Sequence, residues 1–214
     1  MISFIYFDLG GVAVDDFSGN NKWQELGDKM RLTNNNRKGF KEFWQQHELE
    51  FCTTVDIDTF LPQLEQTLNI TLPAGFSLLK ELVDRFYENK PIQPIVSDMA
   101  SKTRIGLLTN IAPGMLDLIQ QKGILPDVQW DEIVDSSIEH VMKPNPRIFH
   151  IAQERASVPG NEILFIDNKQ SHCDAAHALG WQTFYYNSAD RVQSAQELAE
   201  FLNHQELSKK HLSR

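Results

Sequence analysis

Ile2-Ser3-Phe4-Ile5-Tyr6-Phe7-Asp8-Leu9-Gly10-Gly11-Val12 is the stretch that decides the fold. A continuous apolar run that stops at a carboxylate and two glycines reads as a strand buried on both faces. Such strands are central in parallel sheets. Asp8 then stands at the strand's carboxyl end, where open α/β sheets hold their ligands. A charge at the tip of a buried strand is costly without a partner, so Asp8 should face a metal or a reacting group. The plainer alternative is an Asp that only ties down the turn before Gly. The stretch by itself leaves both open.

Outward from it, the chain changes texture. From about Asp16 to Lys90 the pattern is helical, with no convincing strand. Phe40-Phe43-Trp44-His47, Phe60-Leu61-Leu64-Leu68 and Leu78-Leu79-Leu82-Val83-Phe86 repeat at helical spacing, with Asp58 as the expected N-cap of the second run. These aromatic stripes read as helix-bundle core rather than as a ligand box. After Pro91, strands alternate with helices: Arg104–Thr109, a short strand around Ile133-Val134-Asp135, Ile163–Asp167, and Thr183–Tyr186. Alternation of this kind means right-handed βαβ units. The expected fold is α/β: a Rossmann-like parallel sheet flanked by helices, made by residues 1–15 and 91–214, with a helical cap of residues 16–90 inserted after the first strand.

At 214 residues the chain is long enough to bury a sizeable core. A net charge of -9 argues against nucleic acid or an anionic membrane as partner. No apolar run approaches membrane-spanning length, and the N-terminus lacks a signal-peptide pattern. The 2 cysteines, Cys52 and Cys173, lie far apart without metal spacing, so a reducing cytoplasm is the expected compartment. Oligomeric state is not legible in the sequence.

Four polar positions fall at strand ends or just beyond them: Asp8, Thr109-Asn110, Lys143 and Asp167-Asn168. Singly, most have a bland reading as a helix cap or a solvated loop. Jointly they suit phosphoryl transfer. Asp8 can act as nucleophile, Thr109 and the Asn110 amide can donate to phosphoryl oxygens, and Lys143 can neutralise the transferring group. Mg²⁺ held by Asp8 and Asp167 would fit that ion's preference for one or two carboxylates plus water and substrate oxygens.

On these residues the chain resembles the haloacid dehalogenase (HAD) superfamily, in the subgroup with a helical cap after the first core strand. The motifs are Phe7-Asp8-Leu9-Gly10-Gly11-Val12, Leu108-Thr109-Asn110, Lys143-Pro144 and Phe165-Ile166-Asp167-Asn168. The resemblance implies Asp8 as nucleophile, Thr109 and Lys143 as phosphoryl ligands, and Asp8, the Gly10 carbonyl and Asp167 as Mg²⁺ ligands. It implies hydrolysis of a small phosphorylated metabolite, with sugar phosphates the favoured class.

Two departures stand out. Position 10 is Gly where such phosphatases usually carry a second Asp as general acid and base, and Asn168 replaces a frequent Asp. Asp15 or Asp16 is the candidate to supply the missing proton, against a reading of both as solvated loop. A catalytically weak phosphate- or metal-binding protein is the alternative, and a dehalogenase the more distant one. His47 and His172 read as structural or solvent-facing, and His140 as a possible neighbour of Lys143.

Overall fold

The chain enters through β1 (Phe4–Phe7) and turns through Gly10 and Gly11 into a short β2 (Val14–Asp15). Four helices follow: α1 (Lys22–Lys29), α2 (Asn34–Phe51), α3 (Leu61–Leu68) and α4 (Leu78–Asp84). The chain then returns through β3 (Tyr87–Glu88). The remainder alternates as α5 (Gln93–Ala100), β4 (Arg104–Thr109), α6 (Met115–Lys122), β5 (Glu132–Asp135), α7 (Ser136–Glu139), α8 (Pro146–Ala156), β6 (Ile163–Asp167), α9 (Gln170–Ala178), β7 (Gln182–Tyr185) and α10 (Arg191–Leu212). This is a computed structural model, and it describes residues 2–212, with side chains for residues 2–205.

β1 lies at the centre of a five-stranded parallel sheet of order β5-β4-β1-β6-β7. Its side chains alternate between two cores, as the period of a strand requires. Ile5 and Phe7 join Ile105, Leu107, Leu164 and Ile166 on one face, together with apolar residues of α1–α4, α5, α6 and α10. Phe4 and Tyr6 join Phe165, Phe149 and Trp181 on the other, beneath α8 and α9. Burial on both faces explains why β1 is an unbroken apolar run. Among the described residues, no helix is long and apolar enough to cross a membrane.

Two local expectations change. β3 falls in a segment expected to be helical, and it pairs antiparallel with β2 through Val14↔Glu88 and Asp15↔Tyr87. Two-residue strands carry too little periodicity to be seen in sequence, and the pairing is a tertiary event. Asp58 does not cap the helix that contains Leu64. Asp56 caps the preceding 3₁₀ turn, and Asp58 Oδ1 instead accepts from Leu79 N (3.1 Å) in the first turn of α4.

Candidate active site

β1 and β6 are neighbours in register, Phe7 opposite Ile166, so the next residues, Asp8 and Asp167, emerge side by side at the carboxyl edge. Lys143 Nζ lies between them, 2.8 Å from Asp8 Oδ1 and 2.7 Å from Asp167 Oδ2. A third bond runs to Leu108 O at the end of β4 (2.7 Å). The ammonium is fully buried and also sits 5.1 Å from the centre of the Phe165 ring. All three donors of a buried cation are therefore used, which is what makes its burial tolerable.

Asn110, just past β4, fixes the backbone of Lys143 from both sides. Its Nδ2 donates to Lys143 O and its Oδ1 accepts from Lys143 N, each at 2.8 Å. The Lys143–Pro144 peptide bond that follows is cis. The Asn110 side chain is thus a clamp on the lysine, a role that sequence spacing did not reveal. Thr109 ends β4 and is buried beside the same edge.

The two carboxylates differ. Asp167 is fully buried, which opposes its charge. The Lys143 ammonium, together with a hydrogen bond from His172, outweighs this and holds its carboxyl below the usual carboxylate range. Lys169 N also donates to Asp167 Oδ1 (2.7 Å), and His172 Nδ1 lies 3.0 Å from Oδ2. Asp8 has fewer partners: Lys143 and Leu9 N both bind Oδ1, and among the described residues Oδ2 takes no hydrogen bond. Burial, then repulsion from Asp167, pushes the Asp8 carboxyl up to about 7, with Lys143 pulling the other way. Burial lowers the affinity of Lys143 for its proton, but the two carboxylates outweigh it and raise its pKa.

His172 corrects the sequence reading. It is buried, not solvent-facing, and it orients Asp167. Burial holds its imidazole below the ordinary value, only partly offset by the Asp167 hydrogen bond. A His five residues beyond a strand-end Asp was the available signal, but the rotation of α9 decides which way it points. His47 is a packed histidine of α2, bonded to Glu50 and ringed by Phe43 and Phe60. His140 Nδ1 is bonded to Thr53 O (2.7 Å) and does not join the Lys143 cluster.

Gly10 and Gly11 form the turn beside Asp8. Gly11 has φ +78°, and a Cβ there would lie 2.0 Å from Asn168 Nδ2, so no side chain fits. Asn168 Nδ2 donates to Ser18 Oγ (3.0 Å) and Ser188 Oγ (3.3 Å). Asp15 is committed to Lys22 (3.0 Å) and Arg191 (2.7 Å). A cavity of about 750 Å³ lies against α1 and α2, lined by Trp23, Phe40 and Trp44 with Arg37 and Lys41, and none of the strand-end residues lines it.

No protein-family model matches the chain. It is 31% identical over 105 residues to acyl-CoA dehydrogenase family member 10 of Mus musculus, a stretch that is 48% of this chain and 10% of that protein. Among solved structures, a HAD family enzyme of Bacteroides thetaiotaomicron in complex with magnesium and inorganic phosphate superposes with a TM-score of 0.67 at 16% identity, covering 88% of this chain and 96% of that one. A predicted HAD-like family hydrolase of Porphyromonas gingivalis gives 0.68 at 22%, covering 86% and 91%. L-2-haloacid dehalogenase of Xanthobacter autotrophicus gives 0.62 at 20%, covering 86% and 76%. Sheet order and these likenesses agree: the chain has the fold of the haloacid dehalogenase superfamily.

Proposed function

We propose that this chain is a Mg²⁺-dependent hydrolase of small phosphomonoesters, sugar phosphates among them, acting through an aspartyl phosphate on Asp8. One observation carries the reading. Two buried carboxylates share a single ammonium, and the one with an unpartnered oxygen is pushed up to about 7. Such a site is one cation short of holding Asp8 ionised at neutral pH. A divalent cation would fill that deficit, and the donor set fits Mg²⁺: Asp8, Asp167 and the Gly10 carbonyl, with waters for the rest. When bound, that ion would neutralise charge on the phosphoryl oxygens.

The chain's own groups divide the remaining work. Asp8 Oδ2 would attack phosphorus, since Oδ1 is held by Lys143 and Leu9 N. Lys143 offsets developing negative charge in a site where water is scarce, which strengthens its effect. The Thr109 hydroxyl and the Asn110 N–H, at the end of β4, would receive phosphoryl oxygens. Asn110 keeps Lys143 from drifting as charge moves. The inserted helices α1–α4 would act as the cap that selects the alcohol portion of the substrate.

The bacterial enzyme crystallised with magnesium and phosphate supports this reading, whereas the likeness to a haloacid dehalogenase points to the competing one. The test is phosphate release from a panel of sugar and aryl phosphates, with Mg²⁺ and with EDTA, alongside halide release from 2-chloropropionate. Mg²⁺-dependent phosphate release is expected. Halide release without metal, and no phosphate release, would reverse the assignment.

A further inference from the structure

Phosphoryl transfer through Asp8 moves a proton in each of its two steps, and a carboxylate near the Asp8 turn would speed both. Lys143, Asp167 and His172 are bound to one another or to Asp8 and are spoken for. Two carboxylates follow the turn. Asp15 is paired with two cations. Asp16 is different: Oδ1 accepts from Ser18 N (2.8 Å), and Oδ2 is aimed back at Gly10.

The closeness of that approach can be read from the glycine. A Cβ built on Gly10 would lie 2.6 Å from Asp16 Oδ2 and 3.2 Å from its Cγ. The Asp16 carboxylate therefore occupies the space that a side chain two residues past Asp8 would enter. It is held there: Oδ1 is anchored by the Ser18 amide, and Ser18 Oγ is bonded to Asn168, next to Asp167. With glycine at position 10, the Asp16 carboxylate reaches that space without meeting a side chain. Asp16 is also partly exposed, so it can exchange protons with solvent between turnovers.

We infer that Asp16 is the proton carrier of the reaction, reaching over Gly10 to the leaving oxygen and then to the attacking water. The inference rests on the phosphatase reading above. In the first step Asp8 Oδ2 bonds to phosphorus, and the ester P–O bond breaks with its electron pair on the leaving oxygen. That oxygen takes the Asp16 proton and departs as the alcohol. In the second step water bonds to phosphorus and passes a proton to the Asp16 carboxylate. The P–O bond to Asp8 breaks and its pair returns to the Asp8 carboxylate. The sum is ester plus water giving alcohol plus phosphate, with Asp16 protonated as at the start.

The test compares wild type, Asp16→Asn, Gly10→Asp, Asp16→Gly and the double variant Gly10→Asp/Asp16→Gly, on p-nitrophenyl phosphate and on an alkyl phosphate with Mg²⁺. Asparagine retains an oxygen for Ser18 N, so Asp16→Asn keeps the turn and removes only the proton. It should lower kcat on p-nitrophenyl phosphate about 100-fold and lower alkyl phosphate turnover further, within the range a positioned acid or base contributes. Rapid quench should show a burst of nitrophenol near one equivalent in Asp16→Asn and none in wild type. Gly10→Asp alone should lose activity, because its Cβ must displace Asp16. The double variant, with the carboxylate relocated into the vacated space, should recover at least tenfold over Asp16→Gly. A second readout needs no catalysis: Gly10→Ala should lower Tm in wild type and leave it unchanged in the Asp16→Gly background. Unchanged kcat in Asp16→Asn from an active wild type, or a double variant no better than Asp16→Gly, overturns the inference alone. No phosphate release by wild type overturns the phosphatase reading, and this inference with it.

Discussion

The ends of β1 and β6 make an instructive pair. Each offers one aspartate to the same lysine at nearly the same distance, yet the two carboxylates are held in opposite ways. Asp167 is met by Lys143, His172 and a backbone N–H, and stays ionised. Asp8 is met on one oxygen only, and burial raises its pKa. The surplus of donors makes Asp167 an anchor. The deficit leaves Asp8 with one oxygen free of hydrogen bonds among the described residues, and environment thereby makes two neighbouring carboxylates unlike.

The asymmetry predicts a ranking of effects. Removing the proposed nucleophile should do most: Asp8→Asn should abolish phosphate release, a loss greater than about 10⁴-fold in kcat, while the protein keeps its circular dichroism. Activity within tenfold of wild type would mean that Asp8 does not attack phosphorus.

Lys143 serves both carboxylates, so Lys143→Met should lower kcat/KM by about 10²–10³-fold. It should also cost about 3–5 kcal/mol of stability, because two buried carboxylates lose their shared cation. Melting and steady-state kinetics on the same samples check both halves. A stable and active variant would show that the lysine only fills space.

Changes on the Asp167 side should act through the metal. Asp167→Asn should weaken Mg²⁺ binding by about 100-fold in calorimetry, and His172→Gln by about tenfold, as expected for a group that orients a ligand. Equal Mg²⁺ affinity in all three proteins would remove Asp167 from the metal site and His172 from its support.

The smallest effect concerns stability against pH without metal. Folded Asp8 holds its proton more tightly than the unfolded chain does, so its contribution falls as pH rises from about 4 towards 7. His172, held below its ordinary value, acts in the opposite sense: its contribution grows as pH rises towards the range where a free imidazole titrates and is complete above it. Melts in EDTA at pH 5 and pH 8 separate the two. Asp8→Asn should gain more Tm over wild type at pH 8 than at pH 5. The same offset at both values would mean that Asp8 is under no such pressure.

Much of this was legible in one dimension. A strand buried on both faces must be apolar throughout, so β1, β4 and β6 show as runs, and the polar residue that ends each run marks the sheet's carboxyl edge. Asp8, Thr109 and Asp167 follow from that constraint alone, and Lys143 follows from the resemblance of the Lys-Pro pair. Composition alone therefore marks the sheet and the residues at its edge, because burial dictates composition.

What it left open depends on rotation and return, which composition does not encode. Whether His172 points inward is set by how α9 packs on β6 and β7. Asn110 clamps Lys143 only because β4 ends beside that loop. The choice between Asp15 and Asp16 is made by a turn with Gly11 at φ +78°, which sends Asp15 to Lys22 and Arg191 and Asp16 back over Gly10. Adjacent residues of like chemistry point in different directions along a chain, and the packing of distant segments sets which of the two turns towards Gly10.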